Sequence, residues 1–177
     1  MKAKDIGNLG EDMAVKFLLE KGYEIIERNK TVDNIVLVGI KSRGDILAER
    51  IKQKLLEVEN INVPLETIDI TYYRDDIDRK NFDLDIKEIE FKTNLTGKVV
   101  VIVDDVLYTG RTIRAGLDAI LSKSRPAKIQ LACLIDRGHR ELPIRADFIG
   151  KNIPTSHSEN IEVYLKELDG KEEVVIL

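Results

Sequence analysis

The chain has 177 residues, the length of one domain, with 28 Lys and Arg against 32 Asp and Glu, a net charge of −4 at pH 7. Hydrophobic residues make up 43% and charged residues 34%, which fits a globular protein with a sizeable core and excludes a disordered chain. The mild acidity argues against nucleic-acid binding over the whole surface, but not against a local basic patch. The single cysteine, Cys133, excludes an internal disulfide and a cysteine-based metal cluster.

No apolar stretch of about 18 residues and no charged-then-apolar leader occurs in the sequence. We therefore expect a soluble, cytoplasmic protein with one domain, residues 1–177. The place of Cys133 in the apolar run 129–135 predicts a buried, unreactive thiol.

The first half of the chain begins with a segment, residues 8–29, whose apolar residues lie near helical spacing. Gly22 interrupts it, so either one helix or a helix, a turn and a short strand fits this N-terminal segment, 1–30. The apolar run Asn34–Ile40 predicts a strand buried on both faces, and Asp45–Glu57 follows with one apolar helical stripe. The β-branched alternation of Thr67–Tyr73 predicts a second strand.

The second half alternates strands and a helix after a charged connection, residues 74–97, whose length indicates a functional or disordered loop. We predict a buried strand at Lys98–Val103, a helix at Thr112–Ser122 and a buried strand at Lys128–Ile135. This order implies a parallel sheet with right-handed crossovers. The tail carries short strand-like pieces rather than helices, and these could form a small subdomain over one end of the sheet. The pieces are Phe148–Ile149, Ile161–Leu165 and Val174–Leu177.

The segment from Val100 to Thr112 carries the clearest functional signal. Its strand delivers two adjacent carboxylates, Asp104 and Asp105, to its carboxyl end, where open α/β sheets bind ligands. The loop Tyr108–Thr112 then enters a helix with two hydroxyls, a glycine and successive backbone N–H groups, which suits a phosphate monoester. Carboxylates beside a phosphate pocket indicate a ligand that also offers hydroxyls or a metal ion, as a sugar phosphate does.

This segment resembles the phosphoribosyl pyrophosphate (PRPP) motif of the type I phosphoribosyltransferases. Together with residues 70–76 and 136–155, it is similar to the bifunctional family that regulates pyrimidine operons and acts as a uracil phosphoribosyltransferase. The string Asp-Arg-Gly-His-Arg-Glu-Leu-Pro-Ile-Arg at 136–145 is absent from ordinary uracil phosphoribosyltransferases and disfavours a purine-salvage enzyme. The resemblance implies an α/β fold whose central, mainly parallel sheet is flanked by helices, with a small C-terminal β hood over residues 137–177.

The resemblance also implies residue roles. Asp104 and Asp105 would bind the ribose hydroxyls and, with Arg74 at the root of a flexible catalytic loop (74–97), form the catalytic set. Lys41–Gly44 looks like the pyrophosphate loop, although a helix N-cap at Ser42 followed by solvated basic residues fits the same sequence. The residues implied for PRPP or nucleotide binding are Lys41, Ser42, Arg43, Gly44, Asp104, Asp105, Val106, Leu107, Tyr108, Thr109, Gly110, Arg111 and Thr112.

For the base, the resemblance implies that Phe148 lies against the ring and that backbone groups near Ile149 read its polar edge. Phe148 as an ordinary core residue is the alternative. Mg²⁺ is the implied cofactor, carried mainly by PRPP with no direct protein ligand. No general base is obvious from the sequence, and the position of His139 favours a structural or RNA-binding role over one in proton transfer.

The family's second activity is binding of its own operon's leader mRNA in the presence of UMP or UTP. The residues implied for RNA binding are Arg28, Lys30, His139, Arg140 and Arg145. The N-terminal segment departs from the family pattern, because Leu19, Glu20 and Tyr23 replace a Thr, an Arg and a His, and Gly22 falls where the family helix is unbroken. Each RNA phosphate that the protein no longer neutralises lowers the salt slope of binding by about 0.7–0.9.

The leading hypothesis is a bifunctional protein that forms UMP and pyrophosphate from uracil and PRPP and binds mRNA. One alternative is the transferase alone, with RNA binding weakened by the altered N-terminus. Another is a nucleotide-sensing RNA-binding protein with weak catalysis, in which nucleotide and RNA binding are coupled. No DNA or membrane partner is expected, and the resemblance implies a homodimer or a larger homo-oligomer.

Overall fold

The computed structural model describes residues 34–70 and 89–177. The predictions for the N-terminal segment, for Arg28 and Lys30, for Arg74 and for the strand residues beyond Ile70 lie outside this part of the chain. The described elements, in chain order, are β1 (Ile35–Ile40), α1 (Gly44–Glu59), β2 (Leu65–Ile68), β3 (Val99–Leu107), α2 (Arg111–Lys123), β4 (Lys128–Asp136), β5 (Phe148–Asn152), β6 (Ile161–Tyr164), α3 (Lys166–Asp169) and β7 (Glu173–Ile176).

The first five strands form one sheet in the order β2-β1-β3-β4-β5, and every pairing within it is parallel. The predicted parallel sheet is therefore confirmed, as are the helices α1 and α2. Parallel pairing brings the carboxyl ends of all five strands to one edge, which we call the carboxyl edge. Strands β6 and β7 pair antiparallel in a separate small sheet.

Apolar side chains fill both faces of the large sheet. Val36, Val38, Val100 and Ile102 point to the face that α2 covers with Ile113 and Ile120, and all six are buried. Leu37, Val103 and Ala48 of α1 form the core of the opposite face. A third cluster joins Ile135 at the end of β4 to Ile161, Val163 and Leu165, which fixes the small sheet against the carboxyl edge. No helix in the described ranges is long and apolar enough to span a membrane.

Three predictions about the elements are corrected. Strand β3 continues through Asp104 and Asp105 to Leu107, because their backbone pairs onward with β4 as far as Asp136. The piece at Phe148 extends to Asn152 and is the fifth strand of the large sheet, so it does not belong to a separate hood. The tail also contains one helical turn, α3, closed by Gly170 at a φ of 69°.

The end of the predicted flexible loop, residues 89–97, packs against the body of the domain. Leu95 is buried, and Ile89 and Phe91 lie against the core. The buried carboxylate of Glu66 on β2 accepts hydrogen bonds from the backbone N–H groups of Lys92, at 3.3 Å, and Thr93, at 2.7 Å. The last part of the predicted loop is therefore held against the core, and the rest of it, residues 74–88, lies outside the described residues.

Two glycines allow the start of α1 to press against the sheet. A Cβ atom at Gly44 would lie 2.2 Å from the carbonyl oxygen of Val103 and 3.0 Å from the Cα atom of Asp104. A Cβ atom at Gly39 would lie 2.4 Å from the Cα atom of Asp45. Only a residue without a side chain lets these backbones approach so closely, and this approach places the first turn of α1 directly beside the acidic pair on β3.

We predict that Gly44→Ala destabilises the protein by about 2–3 kcal/mol, because the added methyl group meets rigid backbone rather than a movable side chain. Thermal and urea unfolding measure the effect. Gly116→Ala is the matched control, since its Cβ would lie 3.3 Å from the Cδ1 methyl group of Ile40, which can move, and alanine favours the helix interior. Equal stability of the two variants would contradict the proposed close packing of Gly44.

Candidate active site

Two helix N-termini and an acidic pair meet at the carboxyl edge of the sheet. Helix α1 begins at Gly44, just after β1, and α2 begins at Arg111, just after β3. Asp104 and Asp105 lie between them, near the end of the central strand. The N-terminus of a helix presents free backbone N–H groups and the positive end of the helix dipole, so each of the two can bind an anion. The edge therefore offers two places for negative charge on either side of two carboxylates.

The backbone around the acidic pair holds its side chains in place. Asp104 is buried, and its Oδ1 atom accepts a hydrogen bond from the backbone N–H of Asp105 at 3.0 Å. The Oδ1 atom of Asp105 accepts one from the N–H of Val106 at 2.8 Å. Burial raises the pKa of Asp105, while the Val106 N–H and the nearby guanidinium of Arg43 oppose that rise. Asp105 is therefore a carboxylate that folding makes harder to ionise.

The loop before α2 surrounds a pocket of about 210 Å³ lined by residues Val106 to Ile113. Gly110 turns the chain into the helix with a φ of 90°, a conformation that favours glycine. The carbonyl of Thr109 accepts hydrogen bonds from Glu141 N–H at 3.0 Å and Leu142 N–H at 3.2 Å, which ties the loop to the segment after β4. This is the size and lining that a phosphate monoester needs.

Arg111 directs its side chain toward Glu141 at the rim, with distances of 2.9 Å from Nε and 2.7 Å from a terminal nitrogen to the Oε2 atom. The polar groups that line this pocket are thus mainly backbone N–H groups and the hydroxyls of Thr109 and Thr112. We call it the phosphate pocket after its predicted ligand, whose binding here stays a prediction.

The loop before α1 brings two cations to the other side of the acidic pair. Lys41 and Ser42 are exposed, the peptide bond between them is cis, and Lys41 N–H donates to the carbonyl of Ile68 at 3.0 Å. A terminal nitrogen of Arg43 lies 3.2 Å from the Oδ1 atom of Asp169 on α3. Lys41–Gly44 thus lies at the carboxyl edge beside the acidic pair, and its predicted binding of pyrophosphate stays a prediction.

The segment after β4 is held by a buried arginine. Arg137 donates from Nε to the hydroxyl of Thr155 at 3.1 Å and from a terminal nitrogen to the side-chain oxygen of Asn160 at 3.2 Å. Its guanidinium also donates to the carbonyl of Glu159 and lies 4.0 Å from the centre of the Tyr108 ring. One side chain thus joins the phosphate loop to the segment after β5.

Two histidine rings lie in contact beside this arginine, with their planes tilted by 49°. The ring centres of His139 and His157 are 3.9 Å apart, and the ring of Tyr108 meets His139 edge to face at 6.1 Å. His139 donates through Nε2 to the carbonyl of Thr155, which fixes its tautomer because a carbonyl can only accept. These rings form an aromatic surface next to the phosphate pocket, and we call Tyr108, His139 and His157 the aromatic cluster.

The structure places Phe148 and Ile149 on β5, in an apolar groove that Asp104 also lines, and their predicted contact with the base stays a prediction. Phe148 is the first residue of β5 and pairs with Ala132, four residues before the carboxyl end of β4. At about 3.3 Å per residue it lies roughly 13 Å below the edge. It is 53% exposed and lines an apolar groove beside α1 with Leu47 and Ile51.

The predicted RNA-binding residues divide into two groups. His139 and Arg140 take part in contacts of the candidate site, since Arg140 pairs with the buried carboxylate of Asp136. Arg145 is exposed. The segment that closes the phosphate pocket is therefore also the segment that carries these cations.

Sequence reasoning missed Arg137 and His157. His157 could have been found from the sequence. The chain has two histidines, one following β4 and the other following β5, and the carboxyl ends of neighbouring parallel strands meet. The signal was missed because the piece at Phe148 was not predicted as a strand of the large sheet.

Cys133 is buried as predicted. Burial, together with the charges of Asp136 and Asp104, raises the pKa of its thiol to about 12.

This fold and site define a phosphoribosyltransferase. The phosphoribosyl transferase domain family matches residues 6–167. Solved structures of hypoxanthine phosphoribosyltransferases are similar in fold. The Trypanosoma cruzi enzyme in complex with IMP has a TM-score of 0.59 at 19% identity, over 99% of this chain and 84% of that one. The Staphylococcus aureus enzyme has a TM-score of 0.57 at 22% identity, over 97% and 85%.

Curated relatives are similar over nearly the whole length. The chain is 91% identical over 169 residues to the bifunctional protein PyrR of Fusobacterium nucleatum, which covers 96% of each protein. It is 54% identical over 167 residues to the bifunctional protein PyrR of Staphylococcus aureus, which covers 94% of this chain and 95% of that protein. The chain therefore belongs to the PyrR family of phosphoribosyltransferases, and the family resemblance of the sequence is confirmed.

We predict that Asp105→Asn raises the melting temperature at pH 7.5 by about 2–4 °C and lowers the rate of phosphoribosyl transfer by at least about 100-fold. Folding raises the pKa of Asp105, so this residue costs stability once the pH exceeds its unfolded pKa, and the full cost is reached above its folded pKa. Asparagine removes this cost and also the charge that stabilises a developing cation.

Melting curves at pH 4 and pH 7.5 test the stability effect, which should be larger at the higher pH. Asp118→Asn is the control, since Asp118 is an exposed carboxylate 3.5 Å from Arg114 on the same helix. A lower melting temperature for Asp105→Asn at pH 7.5 would contradict the assigned cause of the pKa shift.

Proposed function

We propose that this protein forms UMP and pyrophosphate from uracil and PRPP, and that it binds the leader mRNA of a pyrimidine operon in a manner that UMP or UTP strengthens. The observation that carries the proposal is the pairing of two anion-binding helix N-termini on either side of Asp104 and Asp105. PRPP has a phosphate at one end, a pyrophosphate at the other and two hydroxyls between them, which matches this order of groups.

The residues act on PRPP in three places. Backbone N–H groups and hydroxyls of Thr109–Thr112 hold the 5-phosphate at the start of α2. Asp104 and Asp105 accept hydrogen bonds from the ribose hydroxyls. Lys41–Gly44 binds the pyrophosphate at the start of α1. A bond forms between the uracil nitrogen and the anomeric carbon while the bond from that carbon to pyrophosphate breaks, and the proton on that nitrogen passes to the departing pyrophosphate. The acidic pair stabilises the positive charge that develops on the ribose. Arg74 is proposed to complete the site.

Mg²⁺ fits this donor set as an ion that PRPP carries. No group of three or more acidic, histidine or cysteine side chains able to hold a metal occurs among residues 34–70 and 89–177. Phosphate and ribose oxygens of PRPP and water would supply the ligands of Mg²⁺, beside the negative charge of Asp104 and Asp105. When bound, the ion neutralises charge on the leaving pyrophosphate.

The aromatic cluster is the proposed site of the base. It lies beside the phosphate pocket, and stacking on a ring is worth about 1–3 kcal/mol for a nucleobase. Arg137 holds Tyr108 on one side and the segment of Thr155 to Asn160 on the other, so that the backbone of that segment can read the polar edge of uracil.

The same geometry supports the proposal that the segment after β4 binds RNA. Arg140 and Arg145 lie on this segment, and their charges can bind RNA phosphates. The segment also forms the wall of the nucleotide site through His139 and Glu141, so occupancy of the site can change the position of these cations. The PyrR relative from Fusobacterium, named as bifunctional, covers 96% of this chain, so transferase activity alone, with weakened RNA binding, is not favoured. We propose a homodimer or larger homo-oligomer as the assembly.

His157→Ala should raise the KM for uracil about tenfold, because the stacking surface is removed, and should leave the KM for PRPP nearly unchanged. His157→Phe keeps a ring at this position and should restore the KM for uracil. Steady-state kinetics of UMP formation with each substrate varied in turn give both constants. An unchanged KM for uracil in His157→Ala would contradict the proposal that the base binds at the aromatic cluster.

Arg145→Ala should weaken binding of a leader RNA hairpin and reduce the slope of log K against log salt by about 0.7–0.9, without a change in UMP formation. Lys128→Ala is the control, because Lys128 is also exposed but lies at the start of β4, at the opposite edge of the sheet. Filter binding with and without UMP over a salt series measures both. Wild-type protein that forms UMP but shows no UMP-enhanced hairpin binding would refute the regulatory half of the proposal.

A further inference from the structure

The turn around α3 makes a charged contact with the loop that precedes α1. Asp169 lies at the end of α3, and its Oδ1 atom is 3.2 Å from a terminal nitrogen of Arg43. The two residues are 126 positions apart in sequence, and their side chains are 19% and 31% exposed respectively. A pair with this degree of burial is less screened by water and salt than an ordinary surface pair.

Asp169 is itself held rigidly. Its Oδ2 atom accepts a hydrogen bond from the backbone N–H of Leu165 at 2.8 Å, and its own N–H donates to the carbonyl of Leu165 at 2.7 Å. Leu165 is buried in the apolar cluster that includes Ile46 of α1. The Asp169 carboxylate is therefore fixed relative to α1 by packing that does not involve Arg43.

Arg43 lies close to the acidic pair, because the next residue, Gly44, packs its backbone against Val103 and Asp104 of β3. The charge of Arg43 lowers the pKa of Asp105 against the larger effect of burial, so the guanidinium and the Asp105 carboxylate attract each other. The Nε atom of Arg43 is buried and has no hydrogen-bond partner in the described part of the protein. Without Asp169, attraction would draw Arg43 onto Asp105, where it would neutralise the carboxylate that the ribose hydroxyls need.

We propose that Asp169 is a positioning residue that holds Arg43 away from Asp105 and orients its remaining N–H donors toward the pyrophosphate of PRPP. This rests on the proposed function of Lys41–Gly44 as the pyrophosphate site. An arginine has five N–H donors in a fixed fork, and the contact with Asp169 uses one of them, which leaves donors for an anion. The α3 turn thereby takes part in substrate binding through Arg43, although Asp169 itself does not touch PRPP.

Asp169→Asn tests the proposal without breaking the turn. The asparagine oxygen can still accept the hydrogen bond from Leu165 N–H, which forces its NH₂ group to face Arg43 and removes the attraction. We expect about tenfold weaker binding of magnesium pyrophosphate and a similar rise in the KM for PRPP, as misplacement of a binding group produces, with the KM for uracil unchanged. Isothermal titration calorimetry and steady-state kinetics on the full chain measure these values.

The same turn supplies a matched control. Arg50 of α1 pairs with Glu167 of α3 at 2.7 Å and with Glu172 at 2.7 Å, two helical turns away from Arg43. The double variant Glu167→Gln, Glu172→Gln loosens the same contact between α1 and the turn without touching Arg43. It should bind magnesium pyrophosphate as the wild type does.

A second control uses Arg43→Ala as the background. Because Asp169 acts only through Arg43, Asp169→Asn should add no further loss there.

Each outcome decides a different point. Unchanged pyrophosphate affinity in Asp169→Asn overturns the positioning role while the proposed function stands. An equal loss in the glutamine double variant overturns it too, because docking of the turn would then be what matters. Wild-type protein that binds no magnesium pyrophosphate and forms no UMP overturns the proposed function and this inference together.

Discussion

The approach of the Gly44 backbone to the Val103 carbonyl is the constraint on which the rest of the site depends. It brings the first turn of α1 against β3 beside Asp104 and Asp105. A Cβ atom at Gly44 would lie 2.2 Å from the carbonyl oxygen of Val103, so no side chain fits at this position. The two anion-binding helix ends can flank Asp104 and Asp105 only because this contact is so close. The apolar faces of the sheet hold α1 in place, so the packing of the core also sets the distances between the elements of the site.

The charged groups of the site are held by protein partners. Burial raises the pKa of Asp105, and the neighbouring Arg43 pairs with Asp169 on α3. Asp136 pairs with Arg140, and Arg137 bonds mainly to carbonyl and hydroxyl oxygens. These contacts fix the positions of the charged side chains. Such prearrangement is how an active site stabilises charge that develops only during the reaction.

Much of the fold could be predicted from the sequence because buried parallel strands and amphipathic helices have strong periodic signals, as at Ile35–Ile40 and Arg111–Lys123. The loop before α2 was also predictable, since a glycine and two hydroxyls follow a strand at a fixed spacing. The place of β5 was not. Strand β5 has no buried residues, so its apolar signal is too short to place it in the sheet, and the sequence assigned it to a hood instead. Arg137 gave no signal, because the sequence alone does not distinguish a buried arginine that bonds to backbone carbonyls from an exposed one.

Arg137 limits how this part of the protein can change in evolution. Its guanidinium spans from Tyr108 to Thr155 and Asn160, which means that the stretch between these last two residues has both ends pinned by a side chain of constant reach. Insertions between Thr155 and Asn160 would pull one end out of contact. Relatives that differ in base preference should therefore vary in the identity of the residues in this stretch while its length stays fixed.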